Sequence, residues 1–191
     1  MLSDLLSSPG VVEAARLEGV VGVLALHGGL ESGTAEAARA IASRCHASLY
    51  TVVQPPDLRW HVPSIHFDPR KSTRLRTVLE HVRLAVSVHG FGRKGFEGAV
   101  LVGGTNRRVA SGVAAAIERR GVGPAIGALD EIPPGLRGLH PANPVNLPEH
   151  GGVQLELSVE SRLPEALGEI IAAVAGVIAV EQRSLCVAPG T

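Results

Sequence analysis

Two apolar runs that end in the same dipeptide constrain this chain more than any other feature. Val20 to Leu26 is a stretch of aliphatic and β-branched residues that stops at His27-Gly28-Gly29, and Leu84 to Val88 stops at His89-Gly90. Apolar runs of this length without polar alternation read as strands buried on both faces, the kind found in parallel sheets between layers of helix. Ligand sites in open α/β sheets gather beyond the carboxyl ends of the strands, so the two histidines fall where they can converge on one point.

The rest of the chain fits such a sheet. Leu2 to Leu17 reads as helical with a break at Pro9-Gly10, and Gly19 ends it. Thr34 is the expected N-cap of an Ala-rich helix over 35–44, and Ser48 to Val53 reads as a strand. His61 to Pro69 alternates polar and apolar residues, which predicts a short edge strand around Pro63. Ser72 to His81 is a short helix. Ala99 to Val102 is a third apolar strand, followed by Gly103-Gly104-Thr105-Asn106-Arg107, a helix to about Arg120 and a Gly121 cap. The segment from Gly123 to Glu149 is rich in proline and reads as irregular chain suited to walling a cleft. In Gly152 to Ser158, alternation puts Gln154, Glu156 and Ser158 on one side of a strand and Val153, Leu155 and Leu157 on the other. A helix from Pro164 to about Val180 and a short tail finish the chain. The fold class expected is α/β: a single three-layer domain spanning 1–191, with a central mixed, mostly parallel sheet flanked by helices.

A neutral imidazole and a carboxylate on one loop, here His27 and Glu31, are zinc-ligating groups when a third ligand comes from elsewhere, and His89 is the candidate. Three protein ligands and an open position are what a metal needs to polarise a carbonyl and activate water. The competing reading is that a few of the eight histidines stand at strand ends by chance. Glu156 is the candidate general base, because a carboxylate on a rigid strand can pass a proton from water to a leaving amine; an exposed polar residue on a half-buried strand is the alternative. Arg107, and after it Arg93 and Arg162, offer guanidinium groups for a substrate carboxylate, and Asn106 offers a hydrogen bond to substrate backbone. Solvated arginines are commoner than binding ones. His61 and His66 are candidate cleft-lining residues, for which a turn or edge-strand role is the simpler account.

Several function classes are disfavoured. The formal net charge of zero gives no basic field for nucleic acid. Gly28-Gly29 and Gly103-Gly104 match neither a phosphate loop nor a dinucleotide fingerprint. Asp4, Glu13 and Glu18 interrupt any secretory h-region, and Ile170 to Val180 is too short to span a bilayer, so the expected setting is cytoplasmic and off the membrane. Cys45 and Cys186 lack paired spacing, which agrees with a reducing compartment.

Taken together, His27-Gly28-Gly29-Leu30-Glu31-Ser32-Gly33-Thr34, His66-Phe67-Asp68-Pro69, Val86-Ser87-Val88-His89-Gly90, Val102-Gly103-Gly104-Thr105-Asn106 and Gly152-Val153-Gln154-Leu155-Glu156-Leu157 resemble the poly-γ-glutamate hydrolase family of phages and bacteria. The resemblance implies a zinc carboxypeptidase-like domain that hydrolyses γ-glutamyl amide bonds in a small or polymeric substrate. It places His27, Glu31 and His89 on the family's Zn2+ ligands and Glu156 on its catalytic carboxylate. One difference stands out: the His27 to Glu31 loop is one residue shorter than the family's usual pattern. Another amide, such as a cell-wall γ-glutamyl peptide or an N-acyl amino acid, and a non-catalytic binding protein that has lost its metal are the alternative functions.

Overall fold

The apolar runs form the middle of one seven-stranded sheet. The computed structural model describes residues 1–187. Strands β1 (Val12–Arg16), β2 (Val21–Gly28), β3 (Ser48–Val53), β4 (Leu84–Gly90), β5 (Val100–Gly103), β6 (Ala125–Ile126) and β7 (Gly152–Leu157) lie in the order β1-β3-β2-β4-β7-β5-β6. β3, β2, β4 and β7 are mutually parallel, while β1 and β5 pair antiparallel with β3 and β7. The sheet is therefore mixed and mostly parallel, as its apolar strands predict.

One face of the sheet is covered by helices α2 (Thr34–Cys45), α4 (Arg107–Glu118) and α5 (Pro164–Val187), packed on Val23, Ala25, Val86, Val88, Val102, Val153 and Leu155. The other face carries Leu24, Leu26, Tyr50, Val52 and Ala85 under α1 (Leu2–Leu6), α3 (Thr73–His81) and the connections bearing Val62, Phe67 and Val145. Each such aliphatic or aromatic side chain removed from water stabilises the fold by roughly 1.5–3 kcal/mol, which is why the strand faces sort themselves by alternation. The caps are local: Ser72 accepts the Leu75 N–H and Asn106 accepts the Val109 N–H.

Four expectations need correction. Residues 12–16 are a strand, not the second half of a helix, because the chain turns at Gly10 and pairs with the open edge of β3, where Glu13 accepts the Tyr50 hydroxyl at 2.8 Å. The segment from His61 to Pro69 forms no strand; it makes two 3-10 turns, Ser64–His66 and Pro69–Lys71, the second capped by Asp68. The N-cap of α2 is Gly33, and the Thr34 hydroxyl donates instead to the Glu31 carbonyl. Finally, α5 continues to Val187 because its 24 residues pack on α2 and α4; it is long and apolar enough to cross a bilayer, by length and composition alone. The rest of the expected tail, 188–191, lies outside the described residues.

The turn after β2 is held by a close approach of two backbone segments. Gly29 has φ +79°, and a Cβ there would stand 2.1 Å from the Gln54 carbonyl oxygen. Gly28 accepts the Gln54 N–H at 2.8 Å, so this approach cannot relax without parting β2 from the end of β3. Gly121 has a similar φ of +67° but open space around its Cα. Gly121→Ala should cost only the left-handed backbone penalty, about 1–2 kcal/mol, and Gly29→Ala substantially more. Equilibrium denaturation of the two variants checks this; equal losses would show that the Gln54 contact constrains nothing.

Candidate metal centre and cleft

Strict alternation along β2 would point His27 at the helices, with Val21, Val23 and Ala25. It does not, because the pairing of β2 with β3 slips by one residue between Ala25 and Gly28. Bulges of this kind re-aim side chains, and His27 emerges on the opposite face, its ring 5.0 Å from that of His89 and 5.7 Å from Phe67. His89 reaches the same face by ordinary alternation in β4, and the β4–β7 register sets Glu156 directly beside it. Glu31 arrives by a tight turn in which its N–H donates to the His27 carbonyl at 2.8 Å. The shorter loop therefore closes as a single hydrogen-bonded turn, with Gly29 at φ +79°.

The ligand atoms face one another. His27 Nδ1 lies 3.1 Å from His89 Nδ1 and 3.1 Å from Glu31 Oε1, and His89 Nδ1 lies 3.7 Å from Glu31 Oε2. With bonds of roughly 2.0–2.2 Å to a zinc-sized ion, ligand atoms of one shell stand about 3–3.6 Å apart, so these side chains fit a single cation. Outer contacts fix their orientation. The Val62 carbonyl takes the His27 Nε2 proton at 2.8 Å, which leaves Nδ1 a lone pair, and the Gly90 N–H donates to Glu31 Oε2 at 2.9 Å. Among the described residues, the buried His89 Nε2 has no hydrogen-bond partner. Two imidazoles and a carboxylate are the donor set of borderline-soft divalent ions.

Electrostatics run the same way. Burial pushes the Glu31 carboxyl upward, but the His27 and His89 imidazoles facing its oxygens outweigh it and hold the group far below the usual carboxylate range. Burial lowers the pKa of His89, keeping its imidazole neutral, and burial and then His27 lower that of His61. Glu156, only 5% exposed, is pushed well above the ordinary range by burial first and the Glu31 charge second, against a hydrogen bond from Gln154 Nε2 at 2.8 Å. An ionised ligand carboxylate beside a proton-accepting one whose affinity for protons is raised is the division of labour that acid–base chemistry at a metal requires.

The centre forms the floor of a cleft of about 710 Å³. One wall is His61, Pro63, Ser64 and Ile65; the other is the 134–140 stretch with Asn143, Gln154 and Glu156. The proline-rich segment thus walls a cleft, and it buries the polar side of β7 instead of leaving it exposed.

The proposed substrate-binding residues fare differently. The Arg107 guanidinium is committed to the carbonyls of Val102, Gly104 and Gly127, away from the cleft, and Asn106 caps α4 while donating to the His150 carbonyl. His66 is exposed in its 3-10 turn, and its neighbours rather than it line the cleft. Arg93 borders a separate depression with Phe91 and Phe96. Arg162 donates to the carbonyls of Ser158 and Ser32 and lies against Gly90, tying the two strand-end loops together. Residues that motif reasoning passed over do line the cleft: Arg137, His140 and Asn143, none carrying a local signal, and Gln154, which alternation already placed beside Glu156.

Comparison with known proteins bears on the family and the fold. A family model described as poly-gamma-glutamate hydrolase matches residues 7–167. Two curated Bacillus subtilis (strain 168) proteins are similar over 143 residues, 73% of this chain: the UPF0714 protein YmaC at 32% identity and the SPbeta prophage-derived UPF0714 protein YoqZ at 31%. The matched region is 57% and 49% of those proteins, so this chain spans about half their length. Among solved structures, a bacteriophage poly-gamma-glutamate hydrolase superposes with TM-score 0.79 at 22% identity, covering 96% of this chain and 95% of that one. A zinc-free apo form of YNDL superposes with TM-score 0.76 at 25% identity, over 88% and 89% of the chains.

Zinc titration of the apoprotein, followed by calorimetry and elemental analysis, should give one site per chain. His27→Ala, His89→Ala and Glu31→Gln should each weaken it by more than the ten- to hundredfold typical of outer-sphere changes. Unaltered affinity in any of the three removes that residue from the centre.

Proposed function

The chain belongs to the poly-γ-glutamate hydrolase family, and from that premise we propose that it is a zinc-dependent amidohydrolase cleaving γ-glutamyl bonds, in poly-γ-glutamate or a related γ-linked peptide. The observation that carries the reading is the meeting of His27, Glu31 and His89 in one cluster with Glu156 on the adjacent strand. The closed His27–Glu31 turn argues against a scaffold that has lost its metal.

His27, Glu31 and His89 would hold the ion. Bound there, a zinc ion supplies Lewis-acid polarisation of the amide carbonyl and a water acidified to near neutral pH. The chain's own residues do the rest. Glu156 takes a proton from the attacking water and returns it to the departing amine, which carries it away as the C–N bond breaks. A buried carboxylate with raised proton affinity suits both transfers. Gln154 fixes that carboxylate through Oε1, and among the described residues Oε2 has no hydrogen bond. Asn143 in turn holds Gln154, donating to its Oε1 at 2.7 Å. The cleft is an open trough with walls on two sides, a shape that accommodates a chain of linked residues as readily as a small amide.

Incubation with a strong chelator should abolish hydrolysis of poly-γ-glutamate, measured by loss of polymer length, and added zinc should restore it. Glu156→Gln should retain stoichiometric metal while turnover falls by roughly 10²–10⁴. Persistent activity after verified metal removal, or in Glu156→Gln, would falsify the mechanism. A panel of γ-linked and α-linked amides separates the poly-γ-glutamate reading from cell-wall γ-glutamyl peptides and N-acyl amino acids.

A further inference from the structure

A polymer of γ-linked glutamate carries one free α-carboxylate per residue, and a cation in the cleft wall is the group suited to hold one. Of the residues lining the cleft, Arg137 alone bears a permanent positive charge. Its placement is firm: Nε donates to the Ile132 carbonyl at 2.8 Å, and its own carbonyl accepts the Gly104 N–H at 2.8 Å at the end of β5. Among the described residues its two terminal nitrogens have no hydrogen bond and it enters no ion pair, in contrast to Arg107 and Arg162.

Resting on the hydrolase reading above, we propose that Arg137 is the specificity-determining residue that holds a free α-carboxylate of the substrate, so that the cleft takes γ-glutamyl units with an unmodified α-carboxylate. A guanidinium fixed through Nε presents its remaining N–H groups as a planar fork matched to a carboxylate. The residues on either side of Arg137 tie its position to the proton-transferring group. Gln154 Nε2, which donates to Glu156, also lies 3.4 Å from the Leu136 carbonyl. Gly138, at φ +66°, packs so closely on the Gln154 side chain that a Cβ would stand 2.6 Å away. The loop that carries the carboxylate fork and the strand that carries Glu156 therefore share one rigid spacer, which sets the distance between the anchored carboxylate and the bond to be cut.

The test uses zinc-loaded protein in a Glu156→Gln background, where binding is read without turnover. Calorimetry compares a short γ-glutamyl oligomer with free α-carboxylates and the same oligomer with those groups as carboxamides. The parent should bind the acid form more tightly; Arg137→Gln should lose roughly ten- to hundredfold on the acid form, the size of one charge-assisted hydrogen-bond interaction, and little on the carboxamide. Arg137→Lys, which keeps charge without the fork, should fall between. Equal binding of the acid form by parent and Arg137→Gln overturns the proposal, as does an equal loss on both ligands, which marks a structural role. Hydrolysis of the two oligomers by protein with Glu156 intact is followed alongside. Selective binding without cleavage sinks the hydrolase reading and leaves Arg137 in place; cleavage indifferent to Arg137 does the reverse.

Discussion

A partly buried carboxylate held between two buried imidazoles is the arrangement on which the rest of this molecule depends. An unpaired charge taken out of water costs several kcal/mol even after relaxation, and His27 and His89 are 2% and 3% exposed. Glu31 is tolerable there only because His27, His89 and the Gly90 N–H surround its oxygens, and His27 only because that carboxylate and the Val62 carbonyl face its two nitrogens. These groups come from three parts of the chain: the end of β2 with its turn, the end of β4 and the connection bearing Val62. The sheet, the turn after β2 and the connection bearing Val62 must all be in place before the cluster is stable, which couples the site to the fold as a whole.

The two faces of the sheet have different tasks. The helical face is mostly apolar and is organised by α2, α4 and α5. The other face carries tyrosine, glutamine, glutamate and histidine among its aliphatic residues, and much of its cover consists of loops and 3-10 turns. Loops bring backbone carbonyls and amides within reach of buried polar side chains, as the carbonyls of Val62 and Leu136 do here. Helices satisfy those groups internally and have none to offer. A cluster with many polar partners is thus more readily roofed by irregular chain than by another helix, and the proline-rich segment supplies that roof.

Much of the architecture was legible in the residues. The apolar runs marked the central strands, Ser72 marked the start of α3, and the shared His-Gly endings marked two histidines that the sheet brings together at its carboxyl edge; α4 stops at Glu118 with Arg119 as its C-cap, short of the expected Gly121 cap. The errors have physical causes. Val12–Arg16 has no strong strand pattern and becomes a strand because β3 offers an unpaired edge; His61 to Pro69 alternates like a strand but has no edge to pair with. Arg107 looked well placed after a Gly-Gly turn, yet carbonyls at the end of β5 claim its guanidinium. Arg137 stood in a segment without periodicity, where nothing in the spacing says which side chain will face inward.

Taken alone, the order of residues determined the kind of sheet, the positions of its buried strands and the identity of His27, Glu31, His89 and Glu156 as chemically suited groups, because these follow from short-range hydrophobic patterning and from what each side chain can donate or accept. Tertiary structure decided which of them meet. A one-residue slip between β2 and β3 turned His27 to the correct face, register between β4 and β7 brought Glu156 beside His89, and a distant loop put Arg137 in the wall. Those are contacts between segments far apart in the chain, set by pairing geometry and packing that no local spacing encodes.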